Sequence, residues 1–339
     1  MKAAFLTGFG GNEVVKYGDL PEPVRGNDAA LVEVHAAGVN PVEVVIRQGL
    51  FAALPTNYPI IMGFDISGIV LEAPGGSEFK PGDEVYGRLP SVYGAYAERI
   101  AIPARLLARK PKTVSHQEAA SLPTVALTTW QSFYERAHLK TGESLLIQAG
   151  AGGIGTFAIQ LAKHIGAKVT ATASAANQDF LRSLGVDTAV DYVAQRFEDS
   201  GPFDVVYDGV CGDLIVPSIK SIRPGGRYVG LRRVSDERAW LEFGEPADVA
   251  AKIAQHNLPF RTLATERGVE FHGPLTRSDG GQLAEIAALV DAGTIKPIVT
   301  QVFNLSDLPS AYDILARGRT RGKLVIAVKQ QYSRAPPAV

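Results

Sequence analysis

Hydrophobic and polar positions change rhythm twice along this chain. Over roughly the first 120 residues they alternate in short runs: ALVEVHAAGVN (30–40) has strand character and a Gly stop, and FDISGIVLEA (64–73) alternates into the turn-dense APGGSEFKPGDEV (73–85). EVYG and GAYAERIAIP continue as short strands, with Pro and Gly as frequent punctuation. This pattern predicts a compact, partly open barrel rather than a parallel sheet. Within it, PVEVVIRQG (41–49) predicts a short helix opened by Pro41.

The first change comes near residue 115. SHQEAASLPTVALTTWQSFYERAHL (115–139) reads as helical, with Ser115 as cap, Glu118 three residues on, and Pro123 splitting the stretch in two. A strand–helix rhythm follows. SLLIQAG (144–150) is apolar throughout, as a strand covered on both faces must be. GIGTFAIQLAKHIG (153–166) is an amphipathic helix with a Gly stop. AKVTATAS, QDFLRSLG, TAVDY, FDVVYDGV and GGRYVGL extend the series, which predicts right-handed crossovers and a doubly wound parallel sheet. The second change comes after about residue 275. Helix QLAEIAALVDAGTI, strand VTQVFNL, helix LPSAYDILARGR and strand GKLVIAV carry no Gly loop and read as a return to the first domain. The expected division is therefore 1–123 plus 274–339 for a barrel-like domain, and 124–273 for an inserted Rossmann-type domain.

One stretch carries chemistry. QAGAGGIGT (148–156) holds Gly150, Gly152 and Gly155 between an apolar strand and a helix. In that context Gly150 serves the tight turn, Gly152 lets the backbone approach a pyrophosphate, and Gly155 lets helix and strand pack closely. Ala151, Gly153 and Ile154 complete the loop, and the helix N-terminus supplies N–H groups. NAD-binding loops place an acid at the end of the next strand, on the ribose 2′-hydroxyl. Between Ser144 and Gln178 there is no Asp or Glu. A 2′-phosphate would meet no negative charge there and could bond Ser174, which favours NADP. No Lys or Arg follows closely, so the positive partner must come from elsewhere, and Gln178 offers only a neutral donor.

Composition narrows the class. Hydrophobic residues make up 46% and charged residues 20%, close to a globular average; only the tail SRAPPAV reads as frayed. A net charge of −1, with no Lys/Arg run, argues against nucleic acid as a main partner. The single Cys211 forms no internal disulfide, rules out a multi-cysteine zinc site and suits a reducing, cytoplasmic setting. It reads as a small buried residue. MKAAFLTGFGG lacks the apolar core of a signal peptide, and no window suggests a membrane span. His138 and His164 read as surface residues, and Trp130 and Phe133 as core.

With these segments in hand, the chain resembles the zinc-independent quinone oxidoreductases (zeta-crystallin-like) of the medium-chain dehydrogenase/reductase superfamily. The resemblance rests on AAGVNPVEVVIRQG (36–49), GFDISGIV (63–70), PGDEVYG (81–87), GAYAER (94–99), AASLPTVALTTWQSF (119–133), AGAGGIGTFAIQLAKHIGAKV (149–169), PGGRYVGL (224–231) and RGKLVIAV (321–328), in that order along nearly the whole chain. It implies a GroES-like catalytic domain, an inserted Rossmann domain, and an active site in the cleft between them. Zinc members carry Cys at the position of Asn40 and a His-Glu pair at Phe64-Asp65, so no catalytic metal is expected. The resemblance puts Asn40 beside the nicotinamide and Thr128 near its carboxamide. Ser174 and Tyr192 would border the 2′-phosphate, and Val210 and Leu231 the rest of the cofactor. Two departures stand out: Gln178 where good NADPH sites often carry Lys, and Val45 and Phe51 where some members carry Tyr.

Single residues read as follows. Asn40 is either a helix cap or a nicotinamide neighbour that bonds the enolate or hydroquinone oxygen. Arg47 either orients a substrate carbonyl or lies solvated on its helix. Asp65 ties down a loop rather than acting as a base, and Tyr58 is a turn aromatic or an acid. The expected activity is NADPH-dependent hydride transfer to a quinone or an enone/enal. The rivals are an enoyl-thioester reductase, ranked lower because no basic cluster is visible beside the cleft, and a low-turnover NADPH-binding or sensor protein. The resemblance also implies a homodimer formed by edge pairing of the cofactor-domain sheets, with GGRYVGL (225–231) near the seam.

Overall fold

The computed structural model describes residues 1–50, 57–90, 94–232, 234–235, 237–318 and 320–329. Phe51 and the SRAPPAV tail lie outside the described residues. The strands are β1 (Lys2–Leu6), β2 (Val15–Asp19), β3 (Ala29–Val39), β4 (Ile60–Ile61), β5 (Asp65–Glu72), β6 (Glu84–Arg88), β7 (Arg99–Pro103), β8 (Leu107–Arg109), β9 (Ser144–Ile147), β10 (Lys168–Ala173), β11 (Thr188–Asp191), β12 (Phe203–Asp208), β13 (Ile222–Gly230), β14 (Glu270–His272), β15 (Val299–Asn304) and β16 (Lys323–Ala327). The helices are α1 (Pro41–Arg47), α2 (His116–Ala120), α3 (Pro123–Trp130), α4 (Gly153–Ile165), α5 (Gln178–Ser183), α6 (Ile215–Lys220), α7 (Glu237–Phe243), α8 (Ala247–Glu266), α9 (Gly280–Asp291) and α10 (Leu308–Arg317).

The alternating N-terminal third forms a largely antiparallel sheet in the order β15-β16-β3-β5-β6-β8, with β7 also on β3 and a small β2-β1-β4 sheet beside it. Alternation works here because one strand face reaches the core: Val32, Val34, Ile66, Val70, Val85 and Ile102 are all buried together. The late strand β16 runs antiparallel to β3, pairing Leu324 with Val39. The C-terminal return is therefore an element of the first sheet and ends beside Asn40.

The middle of the chain forms a parallel sheet in the order β11-β10-β9-β12-β13-β14. The reversal between β9 and β12 creates the switch-point crevice where open α/β sheets bind ligands. Ser115 caps α2 through a reciprocal box with Glu118, and α4 stops at left-handed Gly166. Pro123 opens α3 as a separate helix. A π-helical turn, Gln131–Arg136, continues α3 and was not foreseen. GGRYVGL, expected near a dimer seam, ends β13 one strand in from the edge: β14 pairs with β13 at Arg227, Tyr228 and Val229, so the open edge belongs to β14.

Candidate active site

The glycine loop joins β9 to α4. Its left-handed residue is Ala149, at φ 57°, one position before Gly150. Gly150 is needed for packing, since a Cβ there would stand 2.9 Å from Ala171 Cβ. Gly155 is tighter still: a Cβ would meet Ala149 O at 2.4 Å and Gly150 Cα at 2.7 Å. A Cβ on Gly152 would meet only Ala149 O, at 3.5 Å, so that side of the residue is open, as a phosphate needs. Gly152 caps α4 without a side chain, so its first N–H groups keep their donors and the positive end of the dipole. Ala151 is buried and Ile154 half-buried against the core beneath. Gly153 meets the return segment: a Cβ would stand 2.8 Å from Lys323 Cδ, and Gly322 N–H donates to Ala151 O at 2.9 Å.

At the end of β10, Ser174 is half-buried and its hydroxyl accepts from Asn177 Nδ2 at 3.2 Å. Gln178 does not face outward: its amide donates to Ala173 O at 3.0 Å and Ser174 O at 3.4 Å, which spends the donor the sequence had assigned to a phosphate. The missing positive charge arrives from the far end of the chain. Arg321 donates through Nε and Nη2 to Asn177 Oδ1 at 3.0 and 2.8 Å, and its guanidinium lies 4.6 Å over the Phe180 ring. Tyr192 stands exposed beside the same strand end, its N–H on Ala173 O. The segment RGK (321–323) was legible as a motif, but nothing in the sequence says that it folds back onto residue 177.

The cleft end at Asn40 is a closed polar cluster. Asn40 precedes Pro41 at the start of α1, but its side chain caps nothing. Its two amide hydrogens go to Glu43 Oε1 at 3.2 Å and Asp65 Oδ2 at 3.0 Å, and its Oδ1 accepts from Lys323 Nζ at 2.7 Å. Both N–H donors are thus committed inside the protein, and Asn40 does not hydrogen-bond a substrate oxyanion as expected. What it presents is one oxygen lone pair and the flat face of a fixed amide. Asp65, fully buried, accepts from Thr124 N at 2.9 Å and Thr124 Oγ1 at 2.6 Å through its other oxygen. It joins α1 to the first turn of α3.

Burial sets the charges in this cluster. It pushes the Glu43 carboxyl up to about 8, so Glu43 keeps its proton at neutral pH. Lys323 is pulled below its ordinary value by burial and held up by the Asp65 carboxylate 3.7 Å away. One ammonium thus faces one carboxylate. Tyr96 donates to Glu43 Oε2 and Tyr312 reaches the same oxygen at 3.4 Å, with burial raising both phenols. Glu43 and Lys323 were missed in the sequence. The available signal was a lone charge inside an apolar run, in PVEVVIR and GKLVIAV.

Thr128 is buried on α3; its hydroxyl donates to Thr124 O at 2.6 Å and meets Thr276 Oγ1 at 2.6 Å. With its own hydrogen spent, it can accept from a carboxamide N–H. Val210 is exposed and Leu231 half-buried at the ends of β12 and β13; both bond Asp208 through their N–H groups. Asp208 is buried, accepts from Tyr228 OH at 3.0 Å, and has its carboxyl raised by burial. Arg47 departs from both readings. It is buried, donates to Asn12 Oδ1 and lies 5.2 Å over the Tyr312 ring, so its fork joins the N-terminal loop to α10 rather than a substrate. Tyr58 packs edge-on against Phe9. Val45 is half-buried, Cys211, Phe133 and partly Trp130 are covered, and His138 and His164 are at the surface.

Comparison with known proteins identifies the family. The model of the alcohol dehydrogenase GroES-like domain matches residues 26–112, and that of a zinc-binding dehydrogenase matches 184–326. The mitochondrial NAD(P)H oxidoreductase of Danio rerio is 31% identical, over 97% of this chain and 92% of that protein. The chain belongs to the quinone oxidoreductase family of medium-chain dehydrogenases/reductases. It is an oxidoreductase with a nicotinamide cofactor site. Its family includes the chloroplastic NADPH-dependent alkenal/one oxidoreductase of Arabidopsis thaliana, 32% identical over 96% of this chain and 79% of that protein. The quinone oxidoreductase structure from Coxiella burnetii superposes with a TM-score of 0.85 at 32% identity, covering 97% and 99% of the two chains. The zinc in the second model's description does not fit these residues. An amide and a phenyl ring stand at Asn40 and Phe64, the Lys323 ammonium already occupies the cluster, and no group of metal-ligating side chains forms among the described residues. No described helix is long and apolar enough to cross a membrane.

Proposed function

We propose that this family member is an NADPH-dependent reductase of quinones or of activated carbon–carbon double bonds (enones and enals), working without zinc. The observation that carries the cofactor preference is Arg321: a guanidinium on Asn177 and Ala176, just past the end of a β10 that carries no acid of its own, suits a 2′-phosphate and not a bare ribose diol. Gly150 to Gly155 and the open end of α4 would hold the pyrophosphate. Val210, Leu231 and Thr128 would border the nicotinamide half, and Tyr192 the adenosine.

When bound, the reduced nicotinamide supplies a hydride. The hydride would form a bond to the β-carbon of the alkene as the π pair moves to an enolate, which takes a proton from solvent. The chain's part is positioning. Asn40, immobilised by Lys323, Glu43 and Asp65, offers a rigid wall with one acceptor, and Thr128 fixes the carboxamide. Neither group donates to the enolate oxygen. Its proton and hydrogen bonds come from water or from the substrate's own neighbours.

Oxidation of NADPH by small quinones and by α,β-unsaturated ketones tests the reading. Protein that binds NADPH tightly and reduces neither class is the sensor protein instead. The domain limits 1–123 with 274–339, and 124–273, are adopted for this reading. A homodimer through the open β14 edge is proposed with it, to be tested by light scattering; a monomer at micromolar concentration rejects it. The cytoplasm is the proposed compartment, on the strength of one buried, unpaired Cys211. The mitochondrial and chloroplastic names of relatives make cell fractionation its test.

A further inference from the structure

A cavity of about 440 Å³ opens between the two domains, and five arginines are among the residues that line it: Arg88, Arg105, Arg136, Arg261 and Arg277. Thr276 lines it too, and the same hydroxyl bonds Thr128 at 2.6 Å, so the cavity begins at the carboxamide end of the proposed cofactor site. No Asp or Glu lines it among the described residues. Among the described residues, Arg277 alone of the five has a carboxylate partner, Glu135 at 2.9 Å. His272, also in the lining, is held below its ordinary value by burial and adds no charge at neutral pH.

Arg88 marks this as more than a basic surface. It is 7% exposed, and its Nη1 donates to Leu89 O at 3.3 Å and Ser278 Oγ at 3.0 Å. Its Nε has no partner among the described residues. Its cross-strand neighbour Asp65 spends its oxygens on Asn40 and Thr124. The Asp65 charge and the Phe64 ring, 4.8 Å from the guanidinium, support this cation, but no carboxylate pairs with it directly among the described residues, and a buried guanidinium so placed gains from a ligand that brings negative charge. The cofactor does not supply it. The pyrophosphate loop follows β9 and the 2′-phosphate site follows β10, whereas Phe271 and His272 of the cavity belong to β14, at the opposite edge of the sheet.

We propose that this cavity binds the phosphate-bearing tail of the substrate, and that the alkenes reduced are α,β-unsaturated acyl thioesters of a phosphopantetheine carrier. The proposal rests on the hydride-transfer reading above and names its substrate class. Free quinones and enones carry nothing for five arginines to hold, whereas Arg forks match phosphate oxygens two at a time. The cavity also has the volume of a small-molecule site. The sequence concealed it because the five residues are spread from 88 to 277.

Calorimetric titration of NADP-saturated protein with coenzyme A and with phosphate-free pantetheine tests the site, since saturation keeps the coenzyme A nucleotide out of the cofactor site. Coenzyme A is expected to bind about tenfold or more tightly than pantetheine, with the ratio shrinking as salt rises. Arg105→Ala and Arg136→Ala, both on exposed side chains, should bring that ratio down several-fold with unchanged melting temperatures. Equal affinities, or a ratio indifferent to both substitutions, overturn the proposal. Turnover of crotonyl-coenzyme A against a crotonyl carrier protein then identifies the source of the tail; a lower KM for either than for crotonyl pantetheine supports the site. A simple enone separates the two readings. If it is reduced while coenzyme A binds no better than pantetheine, the cavity proposal falls and the reductase stands. If coenzyme A binds through the arginines and no alkene is reduced, the reductase reading falls and the anion site stands.

Discussion

Removing the Lys323 ammonium, as in Lys323→Met, should show how much of the catalytic domain depends on the cluster under Asn40. Lys323 and Asp65 are both buried, 3.7 Å apart. Two unit charges at that distance attract by about 4 kcal/mol at an effective dielectric near 20. Lys323→Met leaves Asp65 with three hydrogen bonds and only the Arg88 guanidinium of the neighbouring strand as counter-charge, at an expected cost of about 3 kcal/mol. Asp65→Asn leaves the ammonium unpaired at a similar cost. The double variant removes both charges, so its loss should fall short of the summed single losses by about 2 kcal/mol or more. Urea unfolding at pH 7, followed by far-ultraviolet circular dichroism, measures all four proteins. Losses that add to within about 0.5 kcal/mol would refute the pairing. Lys323→Met should also lower kcat more than it weakens NADPH binding, because it frees the Asn40 oxygen while an unbranched side chain still packs against Gly153 of the glycine loop.

Three further outcomes are expected. Gly155→Ala should lose about 1–3 kcal/mol and weaken NADPH binding, since its Cβ collides with loop backbone at 2.4 Å, whereas Gly152→Ala should fold normally and lose cofactor affinity alone; thermal melts with and without NADPH separate the two. Arg321→Ala should raise the Kd for NADPH roughly tenfold or more and leave that for NADH unchanged, in fluorescence titrations; equal effects on both cofactors would remove Arg321 from the 2′-phosphate site. Glu43 has a carboxyl raised to about 8 in the folded protein, so the folded state binds the extra proton and its stabilising share, full below about pH 4.5, is lost as pH rises through 8. Glu43→Gln should flatten that decline between pH 5 and 9 in urea midpoints, and a parallel decline in both proteins would show that another group titrates.

The division between what sequence and tertiary structure each determine is unusually clear here. Local chemistry was readable: the Ser115 box, the Pro123 break, the glycine loop and the strand–helix rhythm all arise from interactions a few residues long. The order of those segments identified the family, and the acid-free run after β9 pointed to NADP. What stayed hidden was every contact that depends on residues brought together from far apart. Gln178 turned inward because its amide found two carbonyls, and the charge it lacked came from Arg321, on a segment that folds back from the C-terminal end. Asn40 looked like a free donor because no local pattern reveals that Glu43, Asp65 and Lys323 surround it. Arg47 looked solvated because helical periodicity does not report Tyr312 lying beneath it. No basic cluster was visible beside the cleft, which ranked an enoyl thioester lower, yet five arginines from five separate segments line one cavity. Sequence patterns record which residues can pair with neighbours; burial decides which charges must find partners, and only the closed fold sets where those partners stand.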